Sequence, residues 1–184
     1  MKAIILAAGF GVRMKPLSDR CPKPLLPILG CPIIDYTIKR LKAVGIQKIG
    51  VNICHQADRM EKYFADGSRW GIAITISREP EILGTGGGMG NFRSFLLGEE
   101  SFLVYNGDVL STIDLKRLAV DHAEYKPLVT MALCDYALKN NVSLSPDGSI
   151  IDFLGKLNKF KPGTDRNLTF TGVSIVDREV LDLI

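Results

Sequence analysis

The stretch KAIILAAGFGVRM at residues 2–14 carries the strongest indication of the fold, because an apolar run of strand length ends there in a glycine-rich turn. Residues 2–7 have the length and apolarity of a buried strand. Gly9 and Gly11 follow the run, and Arg13 comes two residues later. Ligands of α/β proteins bind at the carboxyl ends of strands, where glycines let backbone N–H groups approach phosphates. The stretch therefore predicts an α/β sheet with a nucleotide site beside its first strand.

Other strand-length apolar runs alternate with amphipathic segments along the chain. Pro32 suits a first helical position, Ile34, Ile38 and Leu41 recur at helical spacing, and Gly45 suits a helix end. Alternation on this scale predicts an α/β layer fold with a mostly parallel sheet. We predict strands at residues 48–54, 72–77, 101–106 and 128–133, and helices at residues 33–44, 57–65, 91–97 and 115–125.

The alternation of strands and helices ends after residue 140. Residues 141–144, 150–153 and 168–176 are predicted to be antiparallel strands, and a Ser-Pro-Asp-Gly turn at residues 145–148 joins the first two. They would form a small antiparallel flap on the sheet. Residues 156–167 are polar and predict a loop, whereas residues 178–184 predict the start of a helix. We expect residues 1–184 to form a single domain that is incomplete at its C-terminus.

The composition limits the possible classes of protein. The chain has 184 residues, of which 46% are hydrophobic and 23% charged, and its net charge is +3. Such a profile is typical of one globular domain, and the even spread of charge argues against a nucleic-acid or membrane partner. No apolar run approaches the ~20 residues of a membrane-spanning helix, and the first run is too short for a signal peptide. The four cysteines lack metal-site spacing, so we expect a cytoplasmic protein with reduced thiols.

The glycine-rich turn at Gly9 and Gly11 has two common alternatives that the sequence excludes. No Gly-Lys-Ser/Thr follows, so the turn is not a P-loop, and Met14 occupies the third glycine of the dinucleotide-binding pattern. For the glycines alone, an ordinary tight turn is an equally good interpretation. Arg13 favours the nucleotide site, because its guanidinium group can bind phosphates.

Two charged residues are further candidates for phosphate chemistry. Lys23 lies between Pro22 and Pro24, which disfavour helix and would present the ammonium group from a stiff extended segment. Taken alone, a solvated loop lysine remains the better interpretation. Asp108 closes the run Asn106-Gly107-Asp108 after an apolar strand, where a carboxylate suits Mg²⁺. The alternative is an ordinary Asn-Gly turn.

A glycine-rich segment at residues 84–90 follows a predicted strand and precedes a predicted helix. Its bare backbone would let a base or ribose lie against it, and the helix start would favour anionic groups. The alternative is a flexible linker, which would seldom be so short inside an α/β unit. His55 and His122 are isolated histidines, so the sequence offers no Ser-His-Asp or Cys-His arrangement.

Four motifs in order resemble the sugar-1-phosphate nucleotidylyltransferase family, and the likeness covers residues 1–184. The motifs are Leu6-Ala7-Ala8-Gly9-Phe10-Gly11-Val12-Arg13-Met14, Pro22-Lys23-Pro24, Leu83-Gly84-Thr85-Gly86-Gly87 and Asn106-Gly107-Asp108. The chain is most similar to the short bacterial enzymes that act on N-acetylmuramate, mannose or heptose 1-phosphates. The resemblance implies a Rossmann-like, three-layer, mixed and mostly parallel sheet. It also implies transfer of a nucleoside monophosphate from an NTP, with UTP or GTP favoured, to a sugar 1-phosphate, giving a nucleotide-sugar and pyrophosphate.

The resemblance also implies residue roles. Arg13 and Lys23 would be catalytic, with Arg13 on the triphosphate and Lys23 at the reacting phosphates. Asp108 would bind Mg²⁺, and Asn106 would contact the sugar. The implied nucleotide-binding residues are Leu6, Ala7, Ala8, Gly9, Gly11, Arg13, Thr85, Gly86 and Gly87.

The chain departs from the family pattern at two places. The family's Glu-Lys-Pro segment is matched only by Gly155-Lys156-Leu157, so Lys156 is the stand-in for a lysine that touches the sugar phosphate. Thr171 and Gly172 fit the nearby substrate strand. Family members carry a second metal-binding aspartate beyond the position at which this sequence stops.

We expect a monomer or small homo-oligomer. Two alternatives stay open, a cytidylyltransferase acting on phosphocholine or a similar ester, and a non-catalytic nucleotide-binding module.

Overall fold

The computed structural model describes residues 1–156 and 166–184. These residues divide between two compact units, one formed by residues 1–130 and 174–184 and the other by residues 131–173. Within the described ranges no helix is both long enough and apolar enough to cross a membrane.

The secondary structure follows the predicted alternation. The strands are β1 (Ala3–Leu6), β2 (Pro27–Ile28), β3 (Cys31–Pro32), β4 (Lys48–Ile53), β5 (Ala73–Arg78), β6 (Ser101–Asn106), β7 (Val129–Cys134), β8 (Val142–Leu144), β9 (Ile150–Phe153) and β10 (Arg166–Asp177). The α-helices are α1 (Leu17–Arg20), α2 (Ile33–Ala43), α3 (Ala57–Phe64), α4 (Gly84–Gly90) and α5 (Leu115–Tyr125). Short 3₁₀ turns lie at Val12–Met14, Lys23–Leu25, Ser68–Trp70, Ala137–Lys139 and Arg178–Leu183.

A parallel sheet forms the centre of the first unit, in the order β5-β4-β1-β6. β1 pairs in parallel with β4 on one side and with β6 on the other, and β4 pairs in parallel with β5. In this register Leu6 lies beside Asn52 and Asn106. Since the four strands run in the same direction, their carboxyl ends meet at one edge of the sheet. The prediction of a mixed, mostly parallel α/β sheet is confirmed.

The core of the first unit explains why these residues form these elements. Ala3, Ile4 and Ile5 are completely buried, as expected of a parallel strand covered on both faces. On α2 the buried side chains Ile34, Ile38 and Leu41 recur every three or four residues and form one apolar stripe. Burial of this face, rather than intrinsic helix propensity, holds the helix on the sheet.

The second unit contains the predicted antiparallel flap. β8 pairs antiparallel with β9 and with the first part of β10. Val142, Leu144 and Leu168 form a small buried cluster, against which Phe153 and Phe170 pack. Residues 157–165 of the predicted loop at 156–167 lie outside the described residues, and Arg166 and Asn167 belong to β10.

The structure corrects the prediction around the glycine-rich segment. The helix expected at residues 91–97 is absent, because the glycines themselves form α4 and residues 91–98 form turns. Glycine opposes helix formation by about 1 kcal/mol relative to alanine, so contacts with other parts of the chain must stabilise α4. Met89 and Phe92 supply them, since both are buried in one apolar cluster with Ile4.

A second correction concerns Lys23, which was expected in an extended segment between its prolines. It begins the 3₁₀ turn Lys23–Leu25, in which the Leu26 N–H donates to the Lys23 carbonyl at 3.1 Å. Pro24 occupies an early position of the turn, where the missing N–H costs nothing and its fixed φ is compatible with helical geometry. The helix predicted at residues 178–184 is present as the 3₁₀ turn Arg178–Leu183.

Candidate active site

The predicted nucleotide site lies at the edge of the sheet where β1, β4, β5 and β6 end. Two neighbouring cavities occur there, of about 280 Å³ and about 180 Å³. Leu6, Gly9 and Asn106 line both cavities, which makes them parts of one cleft. Ligand pockets commonly measure about 300–1,000 Å³, and the cleft as a whole falls within that range.

The loop after β1 forms one wall of the larger cavity. Gly11 has a φ of 64°, and a Cβ at this position would lie 3.1 Å from the Lys23 Cβ and 3.3 Å from the Ser18 Cβ. Only glycine suits both the left-handed backbone and this close approach. Gly11 therefore brings the loop against the turn that carries Lys23.

Arg13 lies in the short 3₁₀ turn Val12–Met14 and lines the same cavity. Its side chain is exposed and forms no ion pair or hydrogen bond with any residue in the described part of the chain. The guanidinium donors are thus available to an anionic ligand, and a planar fork of this kind suits phosphate oxygens.

Lys23 and Asp108 meet across the larger cavity, where the Lys23 ammonium donates to the Asp108 carboxylate. The side chains are 23% and 32% exposed, so both can be reached from the cleft. Gly107 lets the chain before Asp108 pack closely against the end of β1, because a Cβ there would lie 3.2 Å from the Ala7 Cβ and from the Leu6 carbonyl oxygen. Three of the four sequence motifs therefore converge at one point.

The smaller cavity is lined by residues from the loop after β1 and from the glycine-rich segment. Ala8, Gly84 and Thr85 contribute to it. Gly86 and Gly87 lie on α4 and are not among the residues that line either cavity. A Cβ at Gly87 would instead lie 2.6 Å from the Leu83 Cβ. A direct contact of Gly86 or Gly87 with a nucleotide stays a prediction.

Two buried polar residues that the sequence analysis missed also line the smaller cavity. Asn52 and Glu79 are only 3% and 2% exposed. The Asn52 side chain accepts a hydrogen bond from the Ala7 N–H at 2.7 Å and donates one to Glu79 at 2.8 Å. A signal was present, since Asn52 interrupts an apolar strand near its carboxyl end and Glu79 directly follows another strand.

The remaining predicted substrate residues belong to the second unit. Thr171 donates from its hydroxyl to the Ala132 carbonyl at 2.7 Å, and Gly172 has a φ of 86°. Lys156 follows β9 and is exposed. Contact of Lys156, Thr171 and Gly172 with a sugar phosphate stays a prediction.

The charges of the larger cavity suit a polyphosphate. Arg13 and Lys23 supply two cationic groups, and Asp108 supplies one carboxylate. In the part of the chain that the structure describes, no group of three or more His, Cys, Asp or Glu side chains is placed to hold a metal ion. Mg²⁺ in nucleotide sites is commonly bound by one or two carboxylates together with the phosphates of the substrate. Asp108 fits that arrangement.

Comparison with known proteins finds a matching family and similar proteins. A family model described as nucleotidyl transferase matches residues 2–184. The chain is 33% identical to UTP--glucose-1-phosphate uridylyltransferase of Synechocystis, covering 100% of this chain and 51% of that protein. It is 37% identical to N-acetylmuramate alpha-1-phosphate uridylyltransferase of Neisseria meningitidis, covering 99% of this chain and 78% of that protein.

A solved structure shows the same fold. HddC from Yersinia pseudotuberculosis, complexed with GMP-PN, superposes with a TM-score of 0.81 and 22% sequence identity, covering 98% of this chain and 78% of that chain. At this identity the likeness concerns the fold alone. The present chain spans about half the length of the Synechocystis protein.

Proposed function

This chain belongs to the nucleotidyl transferase family, and from that premise we propose that it transfers a nucleoside monophosphate from an NTP to a sugar 1-phosphate. The products are a nucleotide-sugar and pyrophosphate. The observation that carries the proposal is the convergence of Arg13, Lys23 and Asp108 on one cleft at the carboxyl ends of parallel strands. The names of the two relatives, both uridylyltransferases of sugar 1-phosphates, support it.

The proposed reaction requires no general base from the protein. A phosphate monoester has a second pKa of ~6, so the sugar phosphate is mostly dianionic near pH 7 and is already a nucleophile. One of its oxygens attacks the α-phosphorus of the NTP. The bond from that oxygen to the α-phosphorus forms, and the bond from the α-phosphorus to the bridging oxygen of the β-phosphate breaks, which releases pyrophosphate. The absence of a His-based catalytic arrangement in the sequence agrees with this chemistry.

The protein's part is alignment and neutralisation of charge. Arg13, free of other partners in the described structure, binds the triphosphate. Lys23 lies beside Asp108 and binds the reacting phosphates, where negative charge concentrates as the two anionic substrates meet. Ala7, Ala8 and Gly9 line the cleft beside them and receive the nucleoside.

A divalent cation, Mg²⁺, is part of the proposal. Asp108 would hold it together with phosphate oxygens of the nucleotide, since its carboxylate lines the cavity that contains Arg13 and Lys23. When bound, the cation neutralises part of the charge of the triphosphate and the leaving pyrophosphate.

The nucleotide is proposed to be UTP, because both relatives compared above are named as uridylyltransferases. GTP is the second candidate, from the resemblance found in the sequence. Thr85 lines the smaller cavity and is the proposed contact for the base or ribose. Asn106, shared by both cavities, is the proposed contact for the sugar.

The proposal is tested by measuring pyrophosphate release with Mg²⁺ across UTP, GTP, ATP, CTP and dTTP, each paired with a panel of sugar 1-phosphates. Phosphocholine is included as an acceptor. Release that requires one NTP together with one sugar 1-phosphate would support the proposal. Release with CTP and phosphocholine would identify a cytidylyltransferase, and nucleotide binding without release for any pair would identify a binding module.

Three properties stay predictions from the sequence. They are the cytoplasmic location, a monomer or small homo-oligomer, and the lack of a nucleic-acid partner. The description of residues 1–184 as a single domain is likewise a prediction.

A further inference from the structure

We propose that Asn52 and Glu79 are positioning residues, which hold the nucleotide-binding loop and the glycine-built helix α4 in one fixed arrangement through a buried chain of hydrogen bonds. The inference rests on the proposed function, because it assigns these residues to the nucleotide side of the same cleft. Neither residue belongs to a motif from which the function was predicted.

The hydrogen-bond chain connects elements that are remote in sequence. The Ala7 N–H donates to Asn52 Oδ1 at 2.7 Å, and Asn52 Nδ2 donates to Glu79 Oε1 at 2.8 Å. The Leu83 N–H then donates to Glu79 Oε2 at 3.1 Å. Ala7 lies in the loop after β1, whereas Leu83 is the residue before α4. The chain of hydrogen bonds therefore joins the two sides of the smaller cavity at the point where the sheet ends.

The donors and acceptors in this series of hydrogen bonds explain why the two positions are occupied by asparagine and glutamate. Both oxygens of Glu79 accept hydrogen bonds from N–H groups, which a carboxylate can do and a glutamine cannot. Asn52 accepts from Ala7 and donates to Glu79, so an aspartate at this position would place two carboxylates face to face. Because Asn52 and Glu79 are buried, an unmatched donor or acceptor here would be costly.

Helix α4 needs such an anchor. Five of its seven residues are glycines, which are poor helix formers. A Cβ at Gly88 would lie 2.6 Å from Asn52 Nδ2 and 3.1 Å from Glu79 Oε1, so the bare helix backbone packs directly on the pair. The close packing and the bond to Leu83 together fix the start of α4, where Gly84 and Thr85 line the smaller cavity.

The expected effect falls on nucleotide binding rather than on the reacting phosphates. Asn52 and Glu79 line the smaller cavity, whereas Arg13, Lys23 and Asp108 line the larger one. Loss of one buried hydrogen bond of this kind is expected to raise KM for the NTP about tenfold. We expect kcat and KM for the sugar 1-phosphate to change by less than about threefold, since the groups at the α-phosphate stay in place.

The variants Asn52→Asp and Glu79→Gln, made singly and together, test the proposal. Each single change disrupts one link and should raise KM for UTP about tenfold. In the double variant, the introduced aspartate can accept hydrogen bonds from both the Ala7 N–H and the side-chain amide of the introduced glutamine. The amide oxygen of that glutamine can in turn accept from the Leu83 N–H. The series of hydrogen bonds is then complete, with the bond between residues 52 and 79 reversed in direction, and KM for UTP should return to within about threefold of the original value. If Asn52 and Glu79 only filled space, the double variant would not recover the original KM for UTP.

Substitutions in α4 provide a matched pair. Gly88→Ala collides with Asn52 and should raise KM for UTP about tenfold. Gly90→Ala lies two residues away, where the Cβ would meet only the end of the flexible Arg93 side chain, at 3.1 Å from Nη1. The Gly90 variant should keep the original KM, because it leaves the pair untouched.

Amide hydrogen exchange of the free protein supplies a readout that does not depend on activity. Exchange at Ala7 and Leu83 should accelerate in both single variants and recover in the double variant. If no substrate pair gives turnover, the proposed function fails, whereas UTP titration and amide exchange still decide the positioning role. Failure of the double variant to recover, or single variants with unchanged UTP affinity, would overturn the proposal.

Discussion

Replacement of Lys23 by alanine is expected to lower kcat by about 10²–10³-fold while leaving the fold unchanged. Loss of one positioned donor to a developing negative charge typically costs about 2.7–4 kcal/mol of transition-state stabilisation, which corresponds to that loss of rate. The effect on stability is smaller, because Lys23 and Asp108 are 23% and 32% exposed and form a partly hydrated ion pair. The free energy of unfolding should change by less than about 1 kcal/mol.

Lys15→Ala is the matched control for this prediction. Lys15 also lies between β1 and β2, is 60% exposed, pairs with Asp19 at 3.4 Å and is not among the residues that line either cavity of the cleft. Steady-state pyrophosphate release gives kcat for the two variants, and urea unfolding gives their stabilities. The Lys15 variant should keep the original kcat. A Lys23 variant within about threefold of the original kcat would refute the assigned role, and so would an equal loss in both variants.

Three further predictions concern other residues. Arg13→Ala should lower kcat/KM for the NTP by at least about 10²-fold with unchanged thermal stability, because Arg13 has no partner in the described structure to lose; steady-state kinetics and thermal unfolding check this. Asp108→Asn should weaken Mn²⁺ binding in the presence of UTP, as followed by electron paramagnetic resonance, and removal of divalent cations by EDTA should abolish turnover of the original protein. Burial lowers the pKa of His122 below its usual 6.5, although Asp177 acts to raise it. Because the folded protein favours neutral His122, this histidine stabilises the fold fully above about pH 6.5, and its contribution to the free energy of unfolding is lost as the pH falls below that value. Urea unfolding should show a larger loss between about pH 7.5 and about pH 5.5 for the original protein than for His122→Asn, in which the asparagine can keep the bond to Thr130; equal losses would contradict the assignment.

Much of the fold could be predicted from local patterns. β1 is a continuous apolar run and β4 and β6 are mostly apolar, and the predicted bounds of 2–7, 48–54 and 101–106 agree with the structure to within one residue. Parallel strands bring their carboxyl ends to one edge, so the loop after β1 and Asp108 after β6 are expected at the same edge once the strands are assigned. The contact of Lys23 with Asp108 depends in addition on the turn Lys23–Leu25, which strand assignment does not predict.

The helix at residues 84–90 could not be predicted in the same way. Intrinsic propensity opposes a helix rich in glycine, and the contacts that overcome it come from remote parts of the chain. Phe92 packs in the cluster that contains Ile4, and Glu79 accepts from the backbone before the helix. The local sequence around residues 84–90 does not indicate these contacts.

The pair formed by Asn52 and Glu79 was missed for a related reason. A polar residue near the end of a strand indicates a site or a buried hydrogen bond, but its partner is 27 residues away. Only the register of β4 and β5, which places Asn52 beside Ser77, brings the two side chains together. The sequence marks each position as unusual, and the sheet determines that they meet.

The central claim is that the sugar phosphate attacks the α-phosphorus of the nucleotide, and positional labelling tests it most directly. The protein is incubated with UTP labelled with ³²P at either the α or the γ position, together with a sugar 1-phosphate and Mg²⁺. We predict that the α-label appears in the nucleotide-sugar and the γ-label in pyrophosphate, and that both products form at least about 10²-fold more slowly in Lys23→Ala. Appearance of the γ-label in the sugar product or in inorganic phosphate, or of the α-label in UMP alone, would contradict the account.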